Sequence, residues 1–417
     1  MIRKVMEAIY PSVGGLDVHE ATLVTCRRRL IEGGMVELEV KTFGSTTAEL
    51  RALAGWLHEW KVTHVAMEST GIYWVAVWNV LEDQFKLLLA NAQHLKKVPG
   101  RKDDVPDAEW IAQCMQCGLL RPSFVPCAEV RGWRQLTRQR IKLSDQRTMV
   151  INRLHSVLEQ GNIKLAQVAS NIVGVSGRAI IAALSRGEKD ATKLAALARG
   201  RLAAKYWALV ESLDGNLNDN QRWLLKRLLE QLRLLEQEIT VYDDKIKEQL
   251  LAYEKQVQRL DTIGGIARKS AEDILAEIGP NMDQFPTAEN LVSWAALCPG
   301  KNRSAGKERS SKTPKGNRWL KRVLTEAAWA AVRQKGSYLA GLYRRLAPRR
   351  GKKRAIIAVA RTILQAAWHI LKQEVDYRDL GDTYFERLNK QKTASYLTKR
   401  LEKLGYQVKL KPVERLA

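Results

Sequence analysis

Four acids stand out in an otherwise basic chain: Asp17 in GGLDVH, Glu68 after HVAM, and Asp104 and Asp107 in RKDDVPDAEW. Carboxylates gathered from two strand ends and a helix start suit a pair of divalent cations. Such ions need several hard oxygen ligands, and they serve phosphodiester chemistry by neutralising charge on the scissile phosphate. The i, i+3 spacing of Asp104 and Asp107 places them on one helix face, close enough to share a cation, and selects Asp104 over its neighbour Asp103. Taken singly, each acid also fits a plainer role. Asp17 would cap a turn, Glu68 would pair with a lysine, and Asp104 or Asp107 would sit in a first helical turn where the dipole favours negative charge.

A second constellation lies far along the chain in GKNRSAGKERSSKTPKGNRW, residues 300–319, where Ser304, Ser310 and Ser311 sit among Lys301, Arg303, Lys307, Arg309, Lys312, Lys315 and Arg318. Its cations would hold phosphates. A serine among them needs a base, a metal or a cationic setting to act as a nucleophile near neutral pH. A third cluster, RRLAPRRGKKR, brings Arg344, Arg345, Arg349, Arg350, Lys352, Lys353 and Arg354 together without an acid. One such run is commonly a solvated surface; two in one domain, with helices between them, point to a nucleic-acid face.

Composition agrees. The 417 residues carry 69 Lys plus Arg against 45 Asp plus Glu, a formal charge of +24, so the expected partner is a polyanion. The N-terminus lacks the apolar core of a signal peptide and no run reads as long enough to span a bilayer, so a cytoplasmic protein with no membrane partner is expected. Five cysteines, an odd number, read as reduced thiols. Cys114 and Cys117 have CxxC spacing but no second Cys or His pair at zinc-site distance, and they read as free thiols on a helix.

The elements that must position the acids come first in the chain. Ser12 to Val18, Thr22 to Arg28 and Val36 to Thr42 read as a meander of strands, and a helix follows from Thr46 to Trp60. Next come a short strand at Val65 to Met67, a helix from about Tyr73, a buried strand in FKLLLANA and a helix opening near Asp104. Three antiparallel strands followed by βαβα is the order of an RNase H-like mixed sheet with helices on both faces. From about Val130 long charged helices take over. Leu225, Leu228, Leu232, Leu235, Ile239, Tyr242, Ile246, Leu250, Tyr253 and Val257 make a heptad seam with one stutter. Its partner is either the helix from Val130 to Leu158 or the same arm of a second chain; a single helix of an ordinary bundle is the plainer reading. Beyond it, LDTIGGIARKSAEDILAEIG has the form of a helix-hairpin-helix, or of a plain turn between helices at Gly264 and Gly265. Helices from Arg318 to Gln334 and Arg354 to Gln373 complete a mainly α-helical C-terminal domain. The boundaries read as 1–125 for the RNase H-like domain, 126–258 for the helical arm, 259–380 for the C-terminal domain and 381–417 for a tail.

Five motifs in this order, GLDVH, MESTGIYW, KDDVPDA, TIGGIA and CPGKNRSAGKERSSKTPKGNRWLKR, resemble the DEDD transposases of bacterial insertion sequences, a family understood as bridge-RNA-guided recombinases. The similar stretches run from about Val13 to Leu120 and from about Leu260 to Leu371. The resemblance implies Mg2+ or Mn2+ on Asp17, Glu68, Asp104 and Asp107. It implies a serine nucleophile in a serine-small-glycine context, which Ser304, Ala305 and Gly306 match. Many relatives have two adjacent serines there; this chain has Arg303 then Ser304, with Ser310 and Ser311 nearby. The resemblance also implies donor and target DNA, a structured guide RNA, and a homo-oligomer, dimer assembling to tetramer, in which acids and serine come from different protomers. On the residues alone, two further readings stay open: a junction-resolving nuclease using metal-bound water, and a non-catalytic structural RNA- or DNA-binding protein.

Overall fold

In the computed structural model the described residues are 8–68, 71–91, 95, 98, 106–298, 302–304, 307–310, 316–388 and 390–410, with backbone only at 302–304 and 307–310. The chain divides into two compact units, Met1–Ala128 and Glu129–Ala417.

The first unit is built on strands β1 (Ser12–Val18), β2 (Thr22–Leu30), β3 (Val36–Gly44), β4 (His64–Glu68) and β5 (Lys86–Ala90). They lie in the order β3-β2-β1-β4-β5, with β1 to β3 antiparallel and β4 and β5 parallel to β1. This is the RNase H-like mixed sheet expected from the pattern. One face carries α1 (Thr47–Glu59) and α2 (Trp74–Leu81), whose Leu50, Leu53, Leu57, Val77 and Leu81 close on Leu16, Leu23, Val65 and Met67 of the strands. The other carries α3 (Asp107–Gln116), where Ala108, Ile111, Ala112 and Met115 meet Val13, Cys26 and Ala66. Alternation along β1 therefore sends Leu16 and Val18 toward α1 and leaves Gly15 and Asp17 for the α3 face. Gly15 is what lets α3 come down: a Cβ there would lie 2.3 Å from the Ala108 carbonyl oxygen and 2.4 Å from the Ala112 nitrogen.

The second unit opens with α4 (Ala128–Gln160), followed by α5 (Leu165–Val168), α6 (Val175–Ser185), α7 (Ala191–Ala195), α8 (Tyr206–Leu213) and α9 (Asp219–Gln249). The heptad seam is spent within the chain. Leu225, Leu228 and Leu232 enter a core with Val150, Leu154 and Leu158 of α4 and Ile180, Ile181 and Leu184 of α6. Arg147 pairs with Glu236, Arg140 with Asp243, and Glu129 accepts from the Tyr253 hydroxyl, so positions rise on one helix as they fall on the other. The partner of the seam is thus α4, antiparallel, and the seam is not a free surface awaiting a second chain.

Then come α10 (Glu254–Asp261), α11 (Arg268–Ile278), α12 (Ala288–Trp294), a two-stranded ribbon of β6 (Asn302–Ser304) and β7 (Lys307–Ser310), α13 (Arg318–Ala331), α14 (Tyr338–Arg350) and α15 (Lys352–Gln373), with α16 (Tyr384–Arg387) and α17 (Lys390–Glu402) last. The Gly264-Gly265 turn joins α10 to α11 as expected. Gly265 has φ +89° and abuts the backbone of α13, where a Cβ would meet the Ala327 carbonyl oxygen at 2.4 Å, so this glycine serves helix packing. RRLAPRRGKKR, expected between helices, is itself helical. It forms the end of α14, with Pro348 inside, and the start of α15, parted only by Gly351 at φ +80°. By length and composition α15 is apolar enough to cross a membrane, contrary to the sequence reading, but its Ile356, Val359, Ile363, Leu364 and Ala367 are buried within the unit.

All five cysteines are free thiols. Burial pushes Cys26 and Cys114 up to about 12, so near pH 8 only about one in ten thousand of either is thiolate. Iodoacetamide on the native protein is expected to label exposed Cys127 and to spare Cys26 and Cys114, as peptide mass mapping would show.

Candidate active site

The parallel register of β1 and β4 pairs Leu16 with Met67, and one step further sets Asp17 beside Glu68. Met67, like Leu16, is buried toward α1 and α2, so Glu68 shares the α3 face with Asp17. Strand spacing holds the two backbones about 5 Å apart. Both carboxylates thus sit at the ends of neighbouring central strands, where the ladder stops. Asp17 is mostly covered, its side chain 22% exposed, and its Oδ2 lies 3.1 Å from His19 Nε2. Asp107 opens α3, the helix whose next residue, Ala108, rests on Gly15, two residues before Asp17 on the same face.

Asp104 and Lys301, Lys312, Lys315 and Ser311 lie outside the described residues. The helix expected to open near Asp104 is described from Asp107 onward. Its first residue there follows an extended Pro106 (φ −54°, ψ 144°). Among the described residues no three His, Cys, Asp or Glu are gathered to hold an ion, so Asp17, Glu68 and Asp107 do not close a metal cage by themselves. Their chemistry nonetheless fits a hard divalent cation: oxygen donors only, on one face, at the open ends of two strands. His19 was missed from the sequence. Its signal was the two-residue spacing from Asp17 in GLDVH, which puts both on one side of an extended strand.

In the second unit, β6 and β7 pair antiparallel with Ser304 opposite Lys307 and Asn302 opposite Ser310, so Ser304 is at the closed end of the ribbon and Ser310 at its root. Arg303 and Arg309 lie on the same two strands. The root is anchored. A Cβ on Gly316 would meet that of Ala296 at 2.4 Å, so the two ends of this segment touch. Asn317 caps α13, its Oδ1 accepting from the amides of Trp319 and Leu320, and its Nδ2 donates to Glu277 at 2.5 Å. Glu277 is 2% exposed and also accepts a two-point bond from Arg138 at 2.7 and 2.8 Å. Beside it, burial draws Arg134 down to about 10 while Glu277 pulls the other way. Arg318 stacks on Trp319.

The third cluster separates into two groups. Arg344 is bound to Asp382, and Arg345 lies over the Phe385 ring. Arg349, Arg350, Lys352, Lys353 and Arg354 are exposed and, among the described residues, carry no ion pair. Three of them crowd the first turn of α15, where the helix dipole already favours an anion.

A mixed sheet ordered β3-β2-β1-β4-β5 with acids at the ends of its two central parallel strands defines an RNase H-like domain. Comparison with known proteins then narrows the class. The DEDD transposase model of the IS110 group matches residues 15–163, and the model of the Transposase IS116/IS110/IS902 family matches residues 257–344. The transposase for insertion sequence element IS1111A of Coxiella burnetii (strain RSA 493 / Nine Mile phase I) is 24% identical over 325 residues, covering 76% of this chain and 80% of that protein. RuvC of Thermus thermophilus aligns with 27% of this chain and 99% of its own at 15% identity and a TM-score of 0.21. The chain belongs to the IS110-type DEDD transposases of insertion sequences.

Proposed function

We propose that this transposase cleaves and exchanges DNA strands through a phosphoserine intermediate on Ser304, with a structured guide RNA choosing donor and target by base pairing. The observation that supports the reading is that Asp17 and Glu68 lie at the ends of neighbouring central strands on the face of the sheet that α3, opened by Asp107, packs against. Asp17, Glu68, Asp107 and Asp104 would hold Mg2+ or Mn2+, which when bound would offset charge on the scissile phosphate and ease alkoxide formation. Arg303, Lys307 and Arg309, with Lys301, Lys312, Lys315 and Arg318, would grip the phosphates on either side. The Ser304 Oγ attacks phosphorus, the bond to the leaving nucleotide oxygen breaks, and that oxygen takes up a proton. A hydroxyl of the exchanged strand later reverses the ester. Arg349, Arg350, Lys352, Lys353 and Arg354, exposed and without acids, suit the nucleic-acid backbone, and the charge of +24 suits two nucleic acids at once. Exposed Trp223, Leu234 and Val241 on α9 support pairing of copies into the dimer and tetramer. The setting is the cytoplasm, where the element's DNA resides.

The test is a denaturing trap. The parent chain is expected to leave a DNA–protein adduct, whereas Ser304→Ala leaves none, loses strand exchange by at least about a hundredfold, and still binds RNA. Ser310→Ala keeps the adduct. Metal-dependent cutting with no adduct in the parent would instead establish the water-using nuclease.

A further inference from the structure

Between α5 and α8 the helical unit holds an open cavity of about 790 Å³ whose walls include Ser170, Asn171, Ser176, Arg199, Arg201 and Lys205, and none of its lining residues is acidic. The segment bearing the cations is fixed in place: the Arg199 amide donates to Ser176 Oγ at 2.9 Å, tying it to the first turn of α6. Lys205 Nζ donates at 3.2 Å to the Val168 carbonyl, a neutral partner. Among the described residues no carboxylate pairs with Arg199, Arg201 or Lys205. A second cavity of about 320 Å³ shares Ser170 and Asn171 and continues the furrow to Arg147 and His155. There Glu236 is divided between two guanidiniums, Arg147 at 2.9 Å and Arg178 at 2.7 Å, so that end is also net positive.

Concave walls of one charge focus their field and concentrate a counter-ion. Three cations without acids would repel one another, so the arrangement is satisfied by anions from outside. A single free phosphate would occupy only one of the two adjacent cavities, whereas a chain of phosphates can reach both. Two residues past Lys205, Trp207 is 77% exposed, an indole face available to stack on a base.

We propose that this furrow binds the backbone of a single nucleic-acid strand, with Arg199, Arg201 and Lys205 on successive phosphates and Trp207 stacked on a base. The site is separate from the basic ribbon and the α14–α15 cluster, and it rests on the proposed function only in that the chain handles nucleic acid.

The test uses the full chain, with a labelled single-stranded oligonucleotide as DNA and as RNA, read by fluorescence anisotropy across a salt series. The variant Arg199→Ala/Arg201→Ala/Lys205→Ala is expected to bind about tenfold more weakly, with the slope of log K against log salt smaller by about 2, three phosphates at about 0.7 each. Trp207→Ala is expected to lose about tenfold on single strands, with an unchanged slope and unchanged duplex binding. Arg201→Glu, a single exposed change, repeats the test if the triple variant melts early. An unchanged salt slope in both charge variants overturns the proposal. So does equal loss on duplex with Trp207→Ala silent, or displacement of the strand by millimolar inorganic phosphate alone. Arg349→Ala/Arg350→Ala is the reference: if it too leaves binding unmoved, the nucleic-acid reading itself fails, whereas if it weakens binding and the furrow variants do not, only the furrow is refuted.

Discussion

Gly15→Ala is expected to cost the first unit about 3 kcal/mol or more, and to lower strand exchange at temperatures where the variant remains folded. Alanine ordinarily improves a strand, because glycine loses more backbone freedom on folding, by about 0.5 to 1 kcal/mol. Here the sign reverses. The new methyl would lie 2.3 Å from the Ala108 carbonyl oxygen and 2.4 Å from the Ala112 nitrogen. Backbone atoms of a helix cannot rotate away as a side-chain tip can, so α3 must lift from β1 as a body. Asp107 is the first residue of that helix and moves with it, away from Asp17 and Glu68. The neighbouring Gly14→Ala is the control. Its methyl would meet only the side chains of Leu57 at 3.2 Å and Val65 at 3.3 Å, on the opposite face. Thermal melts should show Gly15→Ala lower by about 10 °C and Gly14→Ala by far less. A Gly15→Ala protein that melts with the parent and exchanges strands at the parent rate would mean that α3 does not set the site.

The RNase H-like half was legible because its signals are local. Alternation along Ser12–Val18 and the β-branched runs at Thr22–Leu30 and Val36–Gly44 report strands without any knowledge of their partners. The acids at Asp17 and Glu68 were legible for the same reason, since the end of an alternating run is visible in the sequence. What spacing does not report is who covers a face. The seam from Leu225 to Val257 was visible as a stripe, but α4 as its partner appears only in cross-helix pairs such as Arg140 with Asp243. RRLAPRRGKKR, placed between two helices by the sequence pattern, is helical as well. The chain stays helical on both sides of Gly351 because Leu339 and Ala340 before it and Ala355, Ile356 and Val359 after it are held in the core. Gly15 and the Glu277 network were out of reach because each depends on residues about a hundred or more positions away.

Replacing that carboxylate, Glu277→Ala, is expected to destabilise the second unit by about 3 to 5 kcal/mol, the cost of leaving buried charge without its partner. Glu277 is 2% exposed and faces Arg138 through two bonds and Arg134 at 3.3 Å, with Asn317 Nδ2 as its fourth contact. Without it, the two guanidiniums remain beside an empty space that their stems cannot fill. Asn317 loses the group that orients its amide, and with it the fixed direction in which its Oδ1 caps α13. The residue just before that cap is Gly316, pressed on Ala296 at the root of the basic segment, so disorder at Asn317 is passed straight to the arm that bears Ser304. Glu277→Gln separates charge from shape. It keeps the volume and one acceptor but gives Arg138 half a partner, and an intermediate loss is expected. Arg138→Met/Glu277→Met removes one charged pair while Arg134 keeps its bonds to the Ala276 and Glu277 carbonyls, and it should recover part of the stability, because a buried pair is often matched by apolar side chains of similar size. Amide exchange in α13 would then distinguish the two functions of the carboxylate. In the double Met variant the melt returns toward the parent while the first turn of α13 still exchanges faster, since nothing orients Asn317. Protection of that turn equal to the parent's would show that the cap stands without Glu277.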